Sequence, residues 1–217
     1  MQKPQAVIFD MDGTLADNMR YHHESWMIFF KRHGVNLTAE EFGKKNHGTI
    51  EEMIRDIFGS HLSAEAVREL GHEKEKLYRD LYREHMKPLD GLYNFMDELK
   101  ENNISIAMAT MGNMDNINFI LDGLQVRKYF DAVAGGDDVK HGKPHPEVFL
   151  KAAVKLNANP MYCIAFEDSF SGIKSALAAG MKVAAVSTTH PKGEFNNHGL
   201  VAVINNYTEI NMERLMY

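Results

Sequence analysis

Ala6-Val7-Ile8-Phe9-Asp10-Met11-Asp12-Gly13-Thr14 decides how the rest of the chain is read. Ala6 to Phe9 are apolar without alternation, as a strand covered on both faces should be, so the run is expected to be a buried strand of a parallel sheet. Two carboxylates and a Gly-Thr pair follow at once. In open α/β sheets the ligand site lies at the C-terminal ends of the strands, which makes this acidic pair a candidate for chemistry. Taken alone, it would serve equally well as turn residues or a helix cap. Asp-x-Asp-Gly also opens calcium loops, but those close on a glutamate at the twelfth position, where this chain has Tyr21.

Outward from that stretch the pattern changes twice. Asn18 to His33 reads as a helix, with His22, Trp26, Phe29 and Phe30 recurring on one face and Gly34 as its C-terminal stop. Thr38-Ala39-Glu40-Glu41 is a capping-box pattern, Met53, Ile54, Ile57 and Phe58 form another apolar face, and Ser63 is placed to cap a further helix. Pro88-Leu89-Asp90-Gly91 breaks the helical run. From Leu92 onward strands and helices alternate: Ile104–Ala109, Ala132–Ala134, Tyr162–Phe166, Lys182–Val186 and Ala202–Ile204 read as strands. Leu92–Glu101, Met114–Leu124, Glu147–Leu156 and Gly172–Ala179 read as the helices between them. Such alternation predicts right-handed βαβ units. The expected fold class is α/β, a doubly wound parallel-sheet (Rossmann-like) core over 1–17 and 89–217. A helical cap over 18–88 interrupts it.

Further strand ends repeat the chemistry of the first. Thr110 follows the second strand, Gly142-Lys143-Pro144-His145-Pro146 follows the third, and Glu167-Asp168-Ser169 ends the fourth. In a parallel sheet these ends share one edge, so two aspartates, a threonine, a lysine and an acidic pair are expected to converge. In this order, and with a helical insert after the first motif, they resemble the four motifs of the haloacid-dehalogenase-like superfamily. The insert matches its alpha-cap subfamily, which includes β-phosphoglucomutases and small-metabolite phosphatases.

That resemblance implies an Mg²⁺-dependent phosphatase acting on a small phosphorylated metabolite, expected to be a sugar phosphate, through an aspartyl phosphate. It makes Asp10 the nucleophile and Asp12 the general acid and then base, with Thr110 and Lys143 holding the phosphoryl oxygens. Asp10, the Asp12 carbonyl, Glu167 and Asp168 are the implied metal ligands, suited to a hard cation. Thr14, Met111, Gly112 and Asn113 are expected to line the phosphate. In the cap, His22 and the loop residues Lys45, Asn46 and His47 are expected to meet the leaving group, a solvated face being the alternative for the loop. Mutases of the family carry an Arg shortly after this loop's glycine, where Gly48-Thr49-Ile50-Glu51 offers an acid. This disfavours the alternative of a β-phosphoglucomutase-type isomerase without excluding it. A haloacid dehalogenase would need neither the metal nor Asp12. A phosphonate hydrolase would want a cap lysine that Lys31, Lys44 and Lys45 do not signal. A receiver-like module, phosphorylated on aspartate as a signal, would need no cap.

Composition sets the outer bounds. The chain has 217 residues, 44% hydrophobic and 25% charged, with a formal charge of -6, which argues against nucleic acid as a partner. Cys163 is the only cysteine and sits in an apolar run, which fits a reducing, cytoplasmic setting. Neither a signal peptide nor a run of transmembrane length is visible, so no membrane is expected. A monomer or a small homo-oligomer is compatible with all of this.

Overall fold

The computed structural model describes residues 3–45, 48–195 and 199–216. The chain divides into two compact units, residues 1–17 with 87–217, and residues 18–86. In the first unit β1 (Ala6–Phe9), β2 (Ser105–Ala109), β3 (Ala132–Ala134), β4 (Cys163–Glu167), β5 (Lys182–Val186) and β6 (Leu200–Ile204) form one sheet among the described residues. Its order is β3-β2-β1-β4-β5-β6, and all its pairs are parallel. The fold is therefore the expected α/β one.

β1 lies between β2 and β4, with Phe9 opposite Met108 on one side and Phe166 on the other. The strand order turns at β1, which is where such sheets open their crevice. Successive side chains of a strand point to opposite faces. On one face Ala6 and Ile8 join Ala107, Ala165, Val148 and Phe149 in an apolar core. On the other, Phe9 stacks on Phe166 at 5.3 Å between ring centroids, and Phe95 stacks on Tyr207 at 5.4 Å. Both faces being covered explains why β1 carries no polar residue.

The second unit is helical: α1 (Met19–Arg32), α2 (Ala39–Lys45), α3 (Ile50–Phe58) and α4 (Ala64–Tyr82). Trp26, Phe29, Phe30, Phe42, Met53, Ile54 and Val67 form its core. The Thr38 N–H donates to Glu41 Oε2 at 2.8 Å and the Glu41 N–H to Thr38 Oγ1 at 3.2 Å, the reciprocal cap that the sequence pattern predicts. Ser63 caps α4 by accepting from the Ala66 N–H at 3.1 Å. A second capping box, Thr49 with Glu52, opens α3.

Back in the first unit, α5 (Leu92–Glu101), α6 (Met114–Gly123), α7 (Glu147–Lys155) and α8 (Phe170–Ala178) connect the strands, and a short α9 (Met212–Leu215) follows β6. Asn113 caps α6 and Ser169 caps α8. Among the described residues no helix is long and apolar enough to cross a membrane.

Candidate active site

The site begins where β1 stops. Asp10 continues the ladder by donating its N–H to the Phe166 carbonyl at 2.9 Å, and then the chain turns: Leu15 N–H to Met11 carbonyl and Gly13 N–H to Ala16 carbonyl, each at 2.9 Å. Gly13 sits at φ +79°, a conformation that a side chain disfavours, and a Cβ on it would collide with the Asp168 carboxylate. The glycine of the opening motif is therefore there for two reasons, the turn and the close approach of an acid from β4.

Register carries the other strand ends to the same edge. Glu167 closes β4 beside Asp10, and Thr110 follows the last residue of β2. The Lys143 loop, preceding α7, sends its ammonium to Asp10 Oδ1 at 2.5 Å and Glu167 Oε1 at 3.1 Å. The same ammonium lies 4.9 Å from the centre of the Phe149 ring. Carboxylate oxygens of Asp10, Glu167 and Asp168 lie within 4.8 Å of one another, all three residues buried. Glu167 is held by four donors: Lys143, the Ser169 hydroxyl at 3.1 Å, and the N–H groups of Asp168 at 2.7 Å and Ser169 at 3.2 Å. Its carboxylate lies where a Cβ on Gly172 would be.

Electrostatics follow from this crowding. Burial pushes the Asp10 carboxyl up; Lys143 opposes the shift without cancelling it, Glu167 adds to it, and the result is about 8. Burial, with Glu167 and Asp10 beside it, also raises Asp168 well above the carboxylate range. Burial works against the Lys143 charge, but Asp10 and Glu167 outweigh it and hold the ammonium above its ordinary value. Three buried carboxyl groups thus crowd beside one ammonium, which bonds two of them, Asp10 and Glu167. The uncompensated charge and the all-oxygen donor set fit a hard divalent cation, which Asp10, Glu167 and Asp168 could hold.

The remaining residues singled out in the sequence are placed as follows. Asp12 is half-buried and its backbone bridges to Ala16. Thr110 is buried, and its Oγ1 accepts the Gly112 N–H at 3.0 Å, so that donor is engaged within its own turn. Asn113 spends its side-chain oxygen on the Asn116 N–H at 3.0 Å, and Met111 is half-buried beside it. Thr14 is fully buried, its carbonyl accepting the Tyr207 hydroxyl at 3.0 Å. In the helical unit His22 stacks on Tyr78 at 3.6 Å and its Nδ1 lies 3.2 Å from the buried Lys74 ammonium. Asn46 and His47 lie outside the described residues, as does the side chain of Lys45.

Several supports of the site escaped the sequence reading. Ser187-Thr188-Thr189 follows β5 directly, and its hydroxyls could have been found by asking what else ends at this edge. Thr188 Oγ1 donates to the Gly13 carbonyl at 2.5 Å, and Thr189 Oγ1 donates to Asp168 Oδ2. Gly172 gave no signal, because only the folded chain shows Glu167 lying against it.

Comparison with known proteins gives the family of the chain. The profile of the haloacid dehalogenase-like hydrolases matches residues 7–186. The chain is 32% identical over 182 residues to a phosphorylated carbohydrates phosphatase of Thermotoga maritima, covering 82% of each. It is 31% identical over 196 residues to a beta-phosphoglucomutase of Bacillus subtilis, covering 86% of this chain and 85% of that one. Among solved structures, a HAD hydrolase of family IA, variant 3, from Entamoeba histolytica superposes with a TM-score of 0.88 at 32% identity, covering 98% of this chain and 97% of the other.

Proposed function

From a chain that belongs to the haloacid dehalogenase-like hydrolase family, we propose a phosphatase that hydrolyses a small phosphomonoester, a sugar phosphate, through a phosphorylated Asp10. The observation that carries this reading is the Lys143 ammonium bridging Asp10 and Glu167. A cation fixed on one oxygen of a buried carboxylate orients the other for in-line attack. Phosphoryl transfer asks a protein for little more than such positioning and for neutralisation of charge.

In the first displacement an Asp10 oxygen bonds to phosphorus as the bond to the leaving alkoxide breaks, and Asp12 gives that alkoxide its proton. In the second, water attacks the same phosphorus, Asp12 takes the water's proton, and the acyl phosphate opens to return Asp10. Thr110 and Lys143 hold phosphoryl oxygens through both steps. Thr14, Met111, Gly112 and Asn113 are assigned to the loops around the phosphate. Asp10, Glu167, Asp168 and the Asp12 carbonyl would hold Mg²⁺, whose charge offsets the carboxylates and lets Asp10 ionise at neutral pH. We assign the choice of leaving group to the helical unit, with His22, Lys45, Asn46 and His47 as its candidate contacts.

Wild-type protein with Mg²⁺ is expected to turn over p-nitrophenyl phosphate, and Asp10→Asn, nearly isosteric, is expected to lose that turnover while its circular dichroism is unchanged. Retained turnover would remove Asp10 from the nucleophile's role. With p-nitrophenyl phosphate, whose leaving group departs without a proton, Asp12→Ala should accumulate the phosphoenzyme. The relation to a beta-phosphoglucomutase supports a second reading, a phosphosugar isomerase. Against it stands Glu51, exposed in the first turn of α3, where an acid favours the helix terminus and opposes a second phosphate. Phosphate release measured over hexose 1- and 6-phosphates, beside an isomer assay, separates the two readings.

A further inference from the structure

The turn after β5 contributes two adjacent hydroxyls to the site and appears in none of the four motifs. β5 pairs with β4 in parallel, Glu167 opposite Ala185, so the chain leaving Val186 emerges on the edge from which Asp168 projects. Adjacent residues reach different targets there. Thr188 Oγ1 donates to the Gly13 carbonyl, and Thr189 Oγ1 donates to Asp168 Oδ2. Gly13 is also the residue whose missing side chain makes room for the Asp168 carboxylate. One turn therefore fixes the surface behind Asp168 and one oxygen of Asp168 itself.

We infer that Thr189 is a positioning residue for divalent-metal binding: by taking Oδ2, its hydroxyl sets the Asp168 carboxylate so that Oδ1 is left for the cation. The inference rests on the metal-binding reading given above. A carboxylate free to rotate about its last torsion offers a cation several poses, whereas a hydrogen-bonded one offers few. Outer partners of metal ligands are typically worth about 10–100-fold in affinity for this reason. The geometry also explains why the site needs a donor here. Asp168 is buried among acids, and Lys143 is directed at Asp10 and Glu167. Thr189 is itself exposed, so its replacement leaves the core intact.

The test is binding of Mn²⁺ and Mg²⁺ to full-length protein freed of metal, followed by calorimetry without substrate, for wild type, Thr189→Val, Thr189→Ser and Asp168→Asn. Thr189→Val, which keeps the volume and loses the hydroxyl, is expected to bind at least about 10-fold more weakly. Its metal-free melting temperature should match that of wild type. Thr189→Ser should bind nearly as wild type does. If Thr189→Val binds as tightly as wild type, or if Thr189→Ser is as weak as the valine variant, the inference is overturned while the metal site stands. If wild type and Asp168→Asn bind metal equally, the carboxylate site itself is wrong, and the role of Thr189 goes with it.

Discussion

Gly172 shows how much a single residue of this site depends on having no side chain. It lies in the first turn of α8, where alanine would ordinarily be the better helix former by about 1 kcal/mol. Here a methyl group would be built into the Glu167 carboxylate, which Lys143, Ser169 and two backbone N–H groups hold in place. Overpacking a well-filled site costs about 1–3 kcal/mol, so the clash is expected to outweigh the propensity. Gly172→Ala should lower the melting temperature and weaken divalent-metal binding together, read from thermal melts with and without Mg²⁺. A higher melting temperature would show that Glu167 swings away freely. No pattern in the linear chain marks this glycine, because its constraint is a side chain that folds back from an earlier position.

At the scale of elements, most of what the chain does locally is written in it. The apolar runs at Ala6–Phe9 and Lys182–Val186 form strands with the bounds read from sequence. At Ile104, Tyr162 and Ala202 the ends move by one or two residues, where hydrogen bonding rather than hydrophobicity decides. The cap at Thr38 was legible because Ser/Thr-x-x-Glu precedes an apolar face. The equivalent cap at Thr49 pairs with Glu52, the second of two adjacent glutamates in the first turn of α3, either of which suits a helix N-terminus by charge alone. That cap carries its own expectation. The Thr49 N–H donates to Glu52 Oε2 at 2.6 Å and Thr49 Oγ1 accepts the Glu52 N–H at 3.2 Å. Removing it with Thr49→Ala should cost about 1 kcal/mol. Hydrogen exchange should show the loss as reduced protection at the start of α3, with the sheet unaffected. The clustered carboxylates and Lys143 were legible for a different reason, since each stands at the end of a recognisable strand or in the loop after one. The hydroxyls beyond β5 stand there too, but side chains that bear no charge give weaker signals.

For the molecule as a whole, the cluster of acids has a cost that depends on pH. Asp10 holds its proton up to about 8 in the folded chain, against an ordinary value near 3.8. The folded state therefore binds this proton more tightly than the unfolded state, and metal-free protein loses stability through Asp10 as pH rises between those values. Asp138 has the opposite sign. The Lys155 ammonium holds its carboxyl low, so its contribution is present at neutral pH and is lost only as pH falls through the folded value. In chelator, Asp10→Asn should gain melting temperature relative to wild type between pH 5 and pH 8, and Mg²⁺ should stabilise wild type more at pH 8 than at pH 5. A difference that does not change with pH would contradict the charge crowding described for the site. The place of β1 in the sheet order has a consequence for biosynthesis. β1 leaves the ribosome before either of its neighbours, finds β2 only after the intervening helical unit has been made, and acquires β4 later still. Until β2 arrives both of its edges are unpaired, and until β4 arrives one still is, which makes β1 the kind of apolar segment that sticks to other chains during translation. Early folding of residues 18–86 as a compact body would shorten the search by bringing β1 and β2 close before synthesis ends.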